Sequence, residues 1–164
     1  MSIIDTLRER GFVQDVSDER GLESELAQGP ITLYWGTDPT ADSLTAGHLV
    51  SLMMLSHFQR AGHHPIVLVG GGTGAIGDPL FRTETRQLLT REQIEQNVAG
   101  QRHQIARYLD FGHGQADLVN NAEWLAEFGY IDFLRDVGRY FTVNQLLQHS
   151  TYRERLENGS LNFI

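Results

Sequence analysis

The run Pro65–Val69 constrains the fold more than any other segment, because every one of its side chains is apolar. A strand that is apolar on both faces is typical of the interior of a parallel sheet covered by helices. Weaker strands are predicted at Ile31–Trp35 and Ala116–Asn120, with helical segments between the three. Strands that alternate with helices indicate an α/β fold, a doubly wound parallel sheet whose ligands bind at the carboxyl ends of the strands.

Apolar periodicity and end signals predict the helices. One buried helix, ending at Gly62, is predicted from apolar residues at every third position, namely Leu49, Leu52, Leu55 and Phe58. Thr90 and Gln93 have the spacing of a capping box and predict a second long helix. Its apolar face is expected to consist of Ile94, Val98, Ile105 and Leu109. Shorter helices are expected from Ser2 to Gly11, near Ile131–Val137 and near Val143–Gln148, whereas Gln14–Gly29 is expected to be acidic and mostly surface.

Composition excludes several classes of protein. The formal net charge is -8, with 21 acidic and 13 basic residues, and this sign repels the phosphate backbone of nucleic acids. All basic residues are arginine, so a step that needs lysine must take it from other sequence. The absence of cysteine excludes disulfides and cysteine-bound zinc. No apolar run is long enough for a signal peptide or a membrane span, so we expect a cytoplasmic protein without membrane contact.

The first candidate site is the loop Gly36–His48, which follows the first predicted strand. It contains an Asp-Pro turn and several hydroxyl groups, and it enters a helix whose N-terminus is suited to phosphate. Gly47 would let a ring or a ribose approach the backbone, and His48 supplies a polar edge. The alternative is an ordinary loop in which Ser43 or Thr45 caps the helix and the histidine is incidental.

The second candidate site is the glycine-rich loop Gly70–Pro79 after the central strand. Residues Gly72–Gly77 spell the G-x-G-x-x-G pattern of dinucleotide-binding enzymes, which makes such an enzyme the rival interpretation. That pattern requires a long helix beginning within the glycines, which Pro79 would interrupt, and no second strand with a ribose-binding acid follows. From the residues alone, Asp78 is interpreted as a cap of a helix or turn.

Three further groups of side chains lie outside these loops. Arg82 and Arg86 lie four residues apart, so they would share a helix face as phosphate ligands or as a solvated pair. The adjacent His63 and His64 would point in opposite directions, which favours surface positions over a metal site. Core or interface positions are expected for the aromatic residues Tyr108, Phe111, Trp124, Phe128 and Phe133.

Both loops resemble signature segments of the bacterial-type tyrosyl-tRNA synthetases, a family of class I synthetases. The first loop reads Gly-Thr-Asp-Pro-Thr-Ala-Asp-Ser-Leu-Thr-Ala-Gly-His from Gly36, and the family usually has histidine at the position of Thr45. The second loop is similar to the family pattern Gly-Gly-x-Thr-Gly-x-Ile-Gly-Asp-Pro. The resemblance extends from about Gly29 to the end of the chain and includes Asn120 and Asn121.

The resemblance implies ATP-dependent activation of tyrosine and its transfer to tRNA(Tyr), with ATP and Mg2+ as a substrate complex and no tightly bound cofactor or metal. For ATP binding it implies Gly36, Asp38, Thr40, Gly47 and His48. The catalytic residues it implies are Thr40, Thr45, His48, Arg82 and Arg86. Tyrosine would be held by Tyr34 at its hydroxyl and by Thr73 and Asp78 at its ammonium group. A homodimer is also implied, through an apolar C-terminal third with Phe133, Leu134, Val137, Phe141, Val143, Leu146, Leu147 and Phe163.

The sequence also departs from this family. Thr45 replaces a histidine donor, Trp35 stands where a small residue is usual, and Thr37 stands where an aromatic residue is common. The family's tyrosine-binding helix, Lys-Met-Ser-Lys-Ser-type loop and tRNA-binding domain would lie beyond Ile164. Residues 1–164 are therefore expected to be the N-terminal part of a catalytic domain, incomplete at its C-terminal end. A non-catalytic relative that binds tyrosine or a nucleotide is the second alternative to a ligase.

Overall fold

The structure is a computed structural model that describes residues 2–76, 89–148 and 150–159. The helices are α1 (Ile3–Glu9), α2 (Glu19–Gln28), α3 (Ala46–Arg60), α4 (Gly71–Ile76), α5 (Arg91–Ile105), α6 (Ala122–Leu125), α7 (Tyr130–Asp136), α8 (Val143–Leu146) and α9 (Ser150–Glu157). The strands are β1 (Thr32–Thr37), β2 (His64–Val69) and β3 (Asp117–Asn120). Two short 3-10 turns cover Gly112–Gly114 and Gly138–Tyr140. None of the described helices is long and apolar enough to cross a membrane.

The three strands form one parallel sheet in the order β1-β2-β3. Trp35 pairs with Val67, and Val67 pairs with Leu118, so the carboxyl ends of all three strands meet at one edge. This confirms the predicted parallel α/β sheet with the Pro65–Val69 run at its centre. β1 continues two residues beyond the predicted Ile31–Trp35, and its extension brings Thr37 beside the first loop.

One face of the central strand carries the main core. Val67 and Val69 are fully buried there with Leu52 and Leu55 of α3, and the same cluster contains Ile94, Val98, Ile105 and Leu109. The apolar face predicted for α5 is thus confirmed, although Leu109 lies beyond the end of that helix. The opposite sheet face is more open, since Ile66 and Leu68 are half-buried and Tyr34 is 75% exposed.

The helix predictions differ from the structure in two details. Gln14–Gly29 is mostly surface, as predicted, but it also contains α2, which begins where an Asp18 carboxylate oxygen accepts the Gly21 N–H at 2.9 Å. Leu22 and Leu26 of this helix pack against a second small core formed by Ile4, Leu7 and Phe58. Two leucines in an otherwise polar segment give only a weak periodic signal. Leu49, expected in the buried stripe of α3, is 38% exposed.

The aromatic residues of the C-terminal third do not form a core among the described residues. Trp124, Phe128 and Phe133 are exposed by 41%, 46% and 40%, and Tyr108 by 37%, so the core alternative was wrong for them. Phe111, in contrast, packs against the main core. Short amphipathic segments need another surface to bury their apolar side, and α7 and α8 are only 7 and 4 residues long.

Candidate functional site

A hydrogen-bonded network joins the carboxyl ends of the three strands. The Thr73 hydroxyl, in α4 after β2, donates to the Asp38 carboxylate after β1 at 2.7 Å. The Asn121 side chain, just after β3, donates to the same Thr73 oxygen at 3.1 Å and accepts the Gly72 N–H at 2.7 Å. Asn121 is only 5% exposed, so these bonds satisfy groups that water reaches poorly. We call Asp38, Thr73 and Asn121 the strand-end network.

Glycine at position 70 is what allows the strand-end network to close. A Cβ atom there would lie 2.0 Å from the Asp38 carboxylate oxygen and 2.4 Å from the Thr73 hydroxyl oxygen. Contacts that short are impossible, so any larger residue would push the network apart. The glycine-rich sequence thus permits a close approach of polar side chains from two different strand ends.

The N-terminus of α3 is capped by an interaction between Thr45 and His48. Thr45 is the N-cap residue, and its backbone N–H donates to His48 Nδ1 at 3.1 Å. An Nδ1 atom that accepts leaves the ring proton on Nε2, which faces the Thr37 hydroxyl at 3.4 Å. The His48 ring also lies 6.0 Å from the ring of Trp35. The histidine is therefore oriented by three neighbours, and Thr45 is the N-cap, as the alternative interpretation of this loop expected.

The β1–α3 loop, residues 38–45, keeps one side open to a ligand. Thr40 is exposed, and its backbone N–H donates to the Asp38 carbonyl oxygen at 2.8 Å. Among the described residues, a Cβ atom at Gly47 would meet nothing closer than the Thr45 hydroxyl oxygen at 3.6 Å, an ordinary contact. Packing within the described part of the chain therefore does not require glycine at position 47. A helix start beside an exposed threonine and an open glycine backbone is an arrangement that suits the approach of a phosphate or a ribose.

Tyr34 and Gly36 lie on the other face of the sheet from Trp35 and Thr37, because side chains alternate along β1. Tyr34 is 75% exposed on that open face. The predicted site residues thus fall into three places: the strand-end network, the capped start of α3, and the open sheet face. Asp78, Arg82 and Arg86 lie outside the described residues.

The adjacent histidines are engaged separately. The Ile31 N–H donates to His63 Nδ1 at 3.2 Å, whereas His64 Nε2 lies 2.9 Å from an Asp117 carboxylate oxygen. The predicted opposite directions of the two rings agree with these partners. The carboxylate beside His64 was missed, because it comes from β3 and is 53 positions away in the sequence. Within residues 2–76, 89–148 and 150–159, no three histidine or carboxylate side chains are grouped as a metal site.

Asn120 and Asn121 are site residues to which sequence reasoning gave no role. The Asn120 side-chain oxygen accepts the Gly71 N–H at 3.1 Å, so the asparagine pair holds the start of α4 through two successive amides. The sequence shows only two asparagines at the end of a predicted strand. Without the register of the sheet, it could not be predicted that they contact the glycine-rich loop after β2.

Comparisons with known proteins agree with this arrangement. The family model described as tRNA synthetases class I (W and Y) matches residues 26–164. A tyrosine–tRNA ligase of Desulfosudis oleivorans is 52% identical over the whole chain, which covers 38% of that relative. Another from Caldanaerobacter subterraneus subsp. tengcongensis is 48% identical over 97% of the chain and 39% of the relative. The chain thus spans well under half the length of these relatives.

The fold comparison leads to the same group. A C-terminally truncated mitochondrial tyrosyl-tRNA synthetase of Aspergillus nidulans superposes with a TM-score of 0.84 at 29% identity, over 99% of this chain and 49% of the other. With parallel strands, a network at their carboxyl ends and a family match over most of its length, the chain belongs to the class I tRNA synthetases of the tryptophan and tyrosine type.

Proposed function

We propose that this chain is the N-terminal part of the catalytic domain of a tyrosine–tRNA ligase, and that it contributes binding groups for tyrosine and ATP. The observation that carries the proposal is the strand-end network, in a chain about half identical to tyrosine–tRNA ligases along its whole length. In the reaction, a tyrosine carboxylate oxygen attacks the α-phosphorus of ATP, and pyrophosphate leaves. A ribose hydroxyl of tRNA(Tyr) then attacks the tyrosyl carbonyl carbon, and AMP leaves.

The proposed tyrosine site combines the open sheet face with the strand-end network. Tyr34 is 75% exposed on that face, and its hydroxyl can hydrogen-bond the phenol of the substrate. Thr73, which is held in place by its bond to Asp38, supplies a hydroxyl oxygen for the substrate ammonium group, and Asp78 would supply a carboxylate. A buried ammonium requires such acceptors, because an unpaired charge away from water is costly. This division keeps the apolar ring and the charged end of tyrosine on different parts of the site.

The proposed ATP site is the β1–α3 loop with the start of α3. Thr40 and Thr45 offer hydroxyls, Gly47 offers open backbone, and the oriented His48 offers a polar ring edge. Because no protein nucleophile is needed, these groups act by positioning the reactants and stabilising charge on the phosphates. Mg2+ would enter with the phosphates of ATP, and Arg82 and Arg86 would neutralise the leaving pyrophosphate.

Ligand-dependent thermal stability tests the proposal. The chain is heated with ATP, tyrosine, a non-hydrolysable tyrosyl-adenylate analogue or NAD, each in separate samples. We expect the adenylate analogue to raise the melting temperature most, since it engages both parts of the site at once. Stabilisation by NAD alone would contradict the proposal. Stabilisation by tyrosine or ATP without adenylate formation in a longer form of the protein would favour the non-catalytic relative.

Three further properties belong to the same proposal. Translation enzymes act where ribosomes are, so we place the protein in the cytoplasm with tRNA(Tyr) as its macromolecular substrate. The exposed apolar residues of the C-terminal third support a homodimer, since patches of this kind on a soluble chain mark an interaction surface.

A further inference from the structure

The β1–α3 loop has little backbone structure of its own. Within residues 38–45, the described backbone bonds are a tight Thr40 N–H to Asp38 carbonyl bond at 2.8 Å and the first helical bond, which Thr45 accepts. A loop that cannot satisfy its own backbone groups needs partners elsewhere in the fold. Those partners come from one face of α5.

Three side-chain amides of α5 bind three backbone groups of this loop in order. Asn97 donates to the Pro39 carbonyl at 2.9 Å, and Gln101 donates to the Ala41 carbonyl at 3.1 Å. Gln104 accepts the Leu44 N–H at 2.8 Å. Positions 97, 101 and 104 follow the i, i+4, i+7 spacing of one helix face, so successive turns of α5 hold successive residues of the loop. We call Asn97, Gln101 and Gln104 the α5 amide row.

Gly100 shows how closely the helix and the loop approach each other. A Cβ atom on this residue would lie 2.3 Å from the Asp42 carbonyl oxygen, which is backbone and cannot swing away. Glycine in the interior of a helix is unfavourable relative to alanine, so a reason other than helix stability is needed here. The loop backbone lies so close to α5 that no side chain fits between them, and this explains the glycine at position 100.

The bond from Gln101 to the loop explains this buried residue better than core packing does. It is 1% exposed, and within the described part of the chain its side-chain oxygen has no hydrogen-bond partner. A buried carbonyl without a partner is costly, and an apolar residue of the same length would fill the space without that cost. The amide nitrogen, however, is what fixes the Ala41 carbonyl. The row is also neutral, so it holds the loop without adding negative charge near a phosphate site.

We propose that the α5 amide row, with Gly100, positions the β1–α3 loop for ATP. This inference rests on the ATP-binding role proposed above for that loop. The row residues are positioning residues, since their bonds go to the loop backbone and leave the Thr40 and Thr45 hydroxyls on the open side. The expected signature is a loss of loop order and of ATP affinity, with tyrosine affinity and overall stability nearly unchanged.

Matched substitutions on α5 test the proposal in the chain 1–164. Gln104→Met removes the acceptor of the Leu44 N–H, and Gln101→Met removes the donor to Ala41. Gln96→Met is the control, the same exchange at an exposed position of the same helix. Losing one such bond corresponds to about a tenfold change in an equilibrium. We expect Leu44 amide exchange to become about tenfold faster in Gln104→Met, ATP affinity to fall three- to tenfold in both row variants, and no change in Gln96→Met.

Two further variants separate positioning from folding. Gln104→Glu keeps an acceptor for the Leu44 N–H, so the slow exchange of that amide should be retained. Gly100→Ala would press a methyl group against the Asp42 carbonyl oxygen, so it should displace the loop and weaken ATP binding while tyrosine affinity is retained.

The outcomes separate this inference from the proposed function. Equal losses of ATP and tyrosine affinity in Gln101→Met and Gln104→Met would overturn the positioning role, as would wild-type ATP affinity in both. If the unsubstituted chain binds neither ATP nor tyrosine, the proposed function fails. In that case the exchange rate of the Leu44 amide still reports whether the row holds the loop.

Discussion

Single polar side chains hold much of the candidate site together, and each of them makes at least two polar contacts. Thr73 donates to Asp38 and accepts from Asn121, so one oxygen connects the ends of β1, β2 and β3. His48 is held similarly, with one ring nitrogen accepting from Thr45 and the other facing Thr37. Removing one such group leaves its partners unsatisfied, which costs more than the bond itself.

Replacement of Thr73 by valine tests this point. Thr73→Val keeps the shape of the side chain but removes its hydroxyl, so the Asp38 oxygen and the Asn121 amide each lose their hydrogen-bond partner. The free energy of unfolding should therefore fall by about 1–3 kcal/mol. Thr40→Val is the matched control at an exposed threonine and should change stability by less than about 0.5 kcal/mol. Urea denaturation of both variants measures the difference. Equal stabilities of the two variants would mean that the strand-end network is not maintained in solution.

His57 makes stability depend on pH. Burial against Phe12 and the nearby charges of Arg10 and Arg60 lower the pKa of this histidine below its usual 6.5. The unfolded chain therefore binds a proton at a pH where the folded chain does not, so stability is full above about pH 6.5 and falls as the pH drops toward the folded pKa. We expect His57→Leu to remove part of this loss between neutral and mildly acidic pH in urea denaturation.

The control for His57 is His113→Asn, an exposed histidine replaced by a residue that also tolerates its positive φ of 53°. It should leave the pH dependence of stability unchanged. The same pH dependence in wild type and His57→Leu would assign the effect to other groups.

At the level of elements, α3 is buried on a narrower stripe than its sequence indicates. Leu55 is fully buried in the main core, whereas Leu49, in the first turn of α3, is 38% exposed. Leu55→Ala should therefore lower the free energy of unfolding by about 2–5 kcal/mol. Leu49→Ala should cost less than about 1 kcal/mol. Similar losses for both would show that the start of α3 packs against a surface that the described residues lack.

The elements that sequence could predict are those whose signals are local. The apolar run of β2 and the capping box at Thr90 specify their elements within a few residues, and both were confirmed. α2 was missed because two leucines give little periodicity in a polar segment. The strand-end network could be anticipated only as two loops at the same sheet edge. Partners such as Asn121 and Gln101 follow from sheet register and helix packing, which bring together residues some 50 to 60 positions apart.

On the scale of the whole molecule, the described residues leave one sheet face open and a C-terminal third with an exposed apolar surface. Both features fit a chain that spans 38% of the length of a similar tyrosine–tRNA ligase. The composition points the same way, because the chain contains no lysine that could neutralise part of the charge of a leaving pyrophosphate. We therefore expect little or no tyrosine-dependent ATP–pyrophosphate exchange by residues 1–164 alone, even where both ligands bind. Exchange at ordinary enzyme rates would contradict this.

The exposed C-terminal third also predicts self-association. Ile131, Phe141 and Val143 are exposed by 69%, 61% and 70%, and burying one such side chain contributes about 1.5–3 kcal/mol. Several of them on short helices form the kind of patch that soluble chains cover with a partner. We expect a concentration-dependent dimer in analytical ultracentrifugation at tens of micromolar, weakened by Val143→Asp because association would bury an unpaired charge. Val50→Asp, at a position 53% exposed on α3, is the control and should leave association unchanged. A species that remains monomeric throughout, or equal weakening by both substitutions, would exclude this surface as the dimer interface.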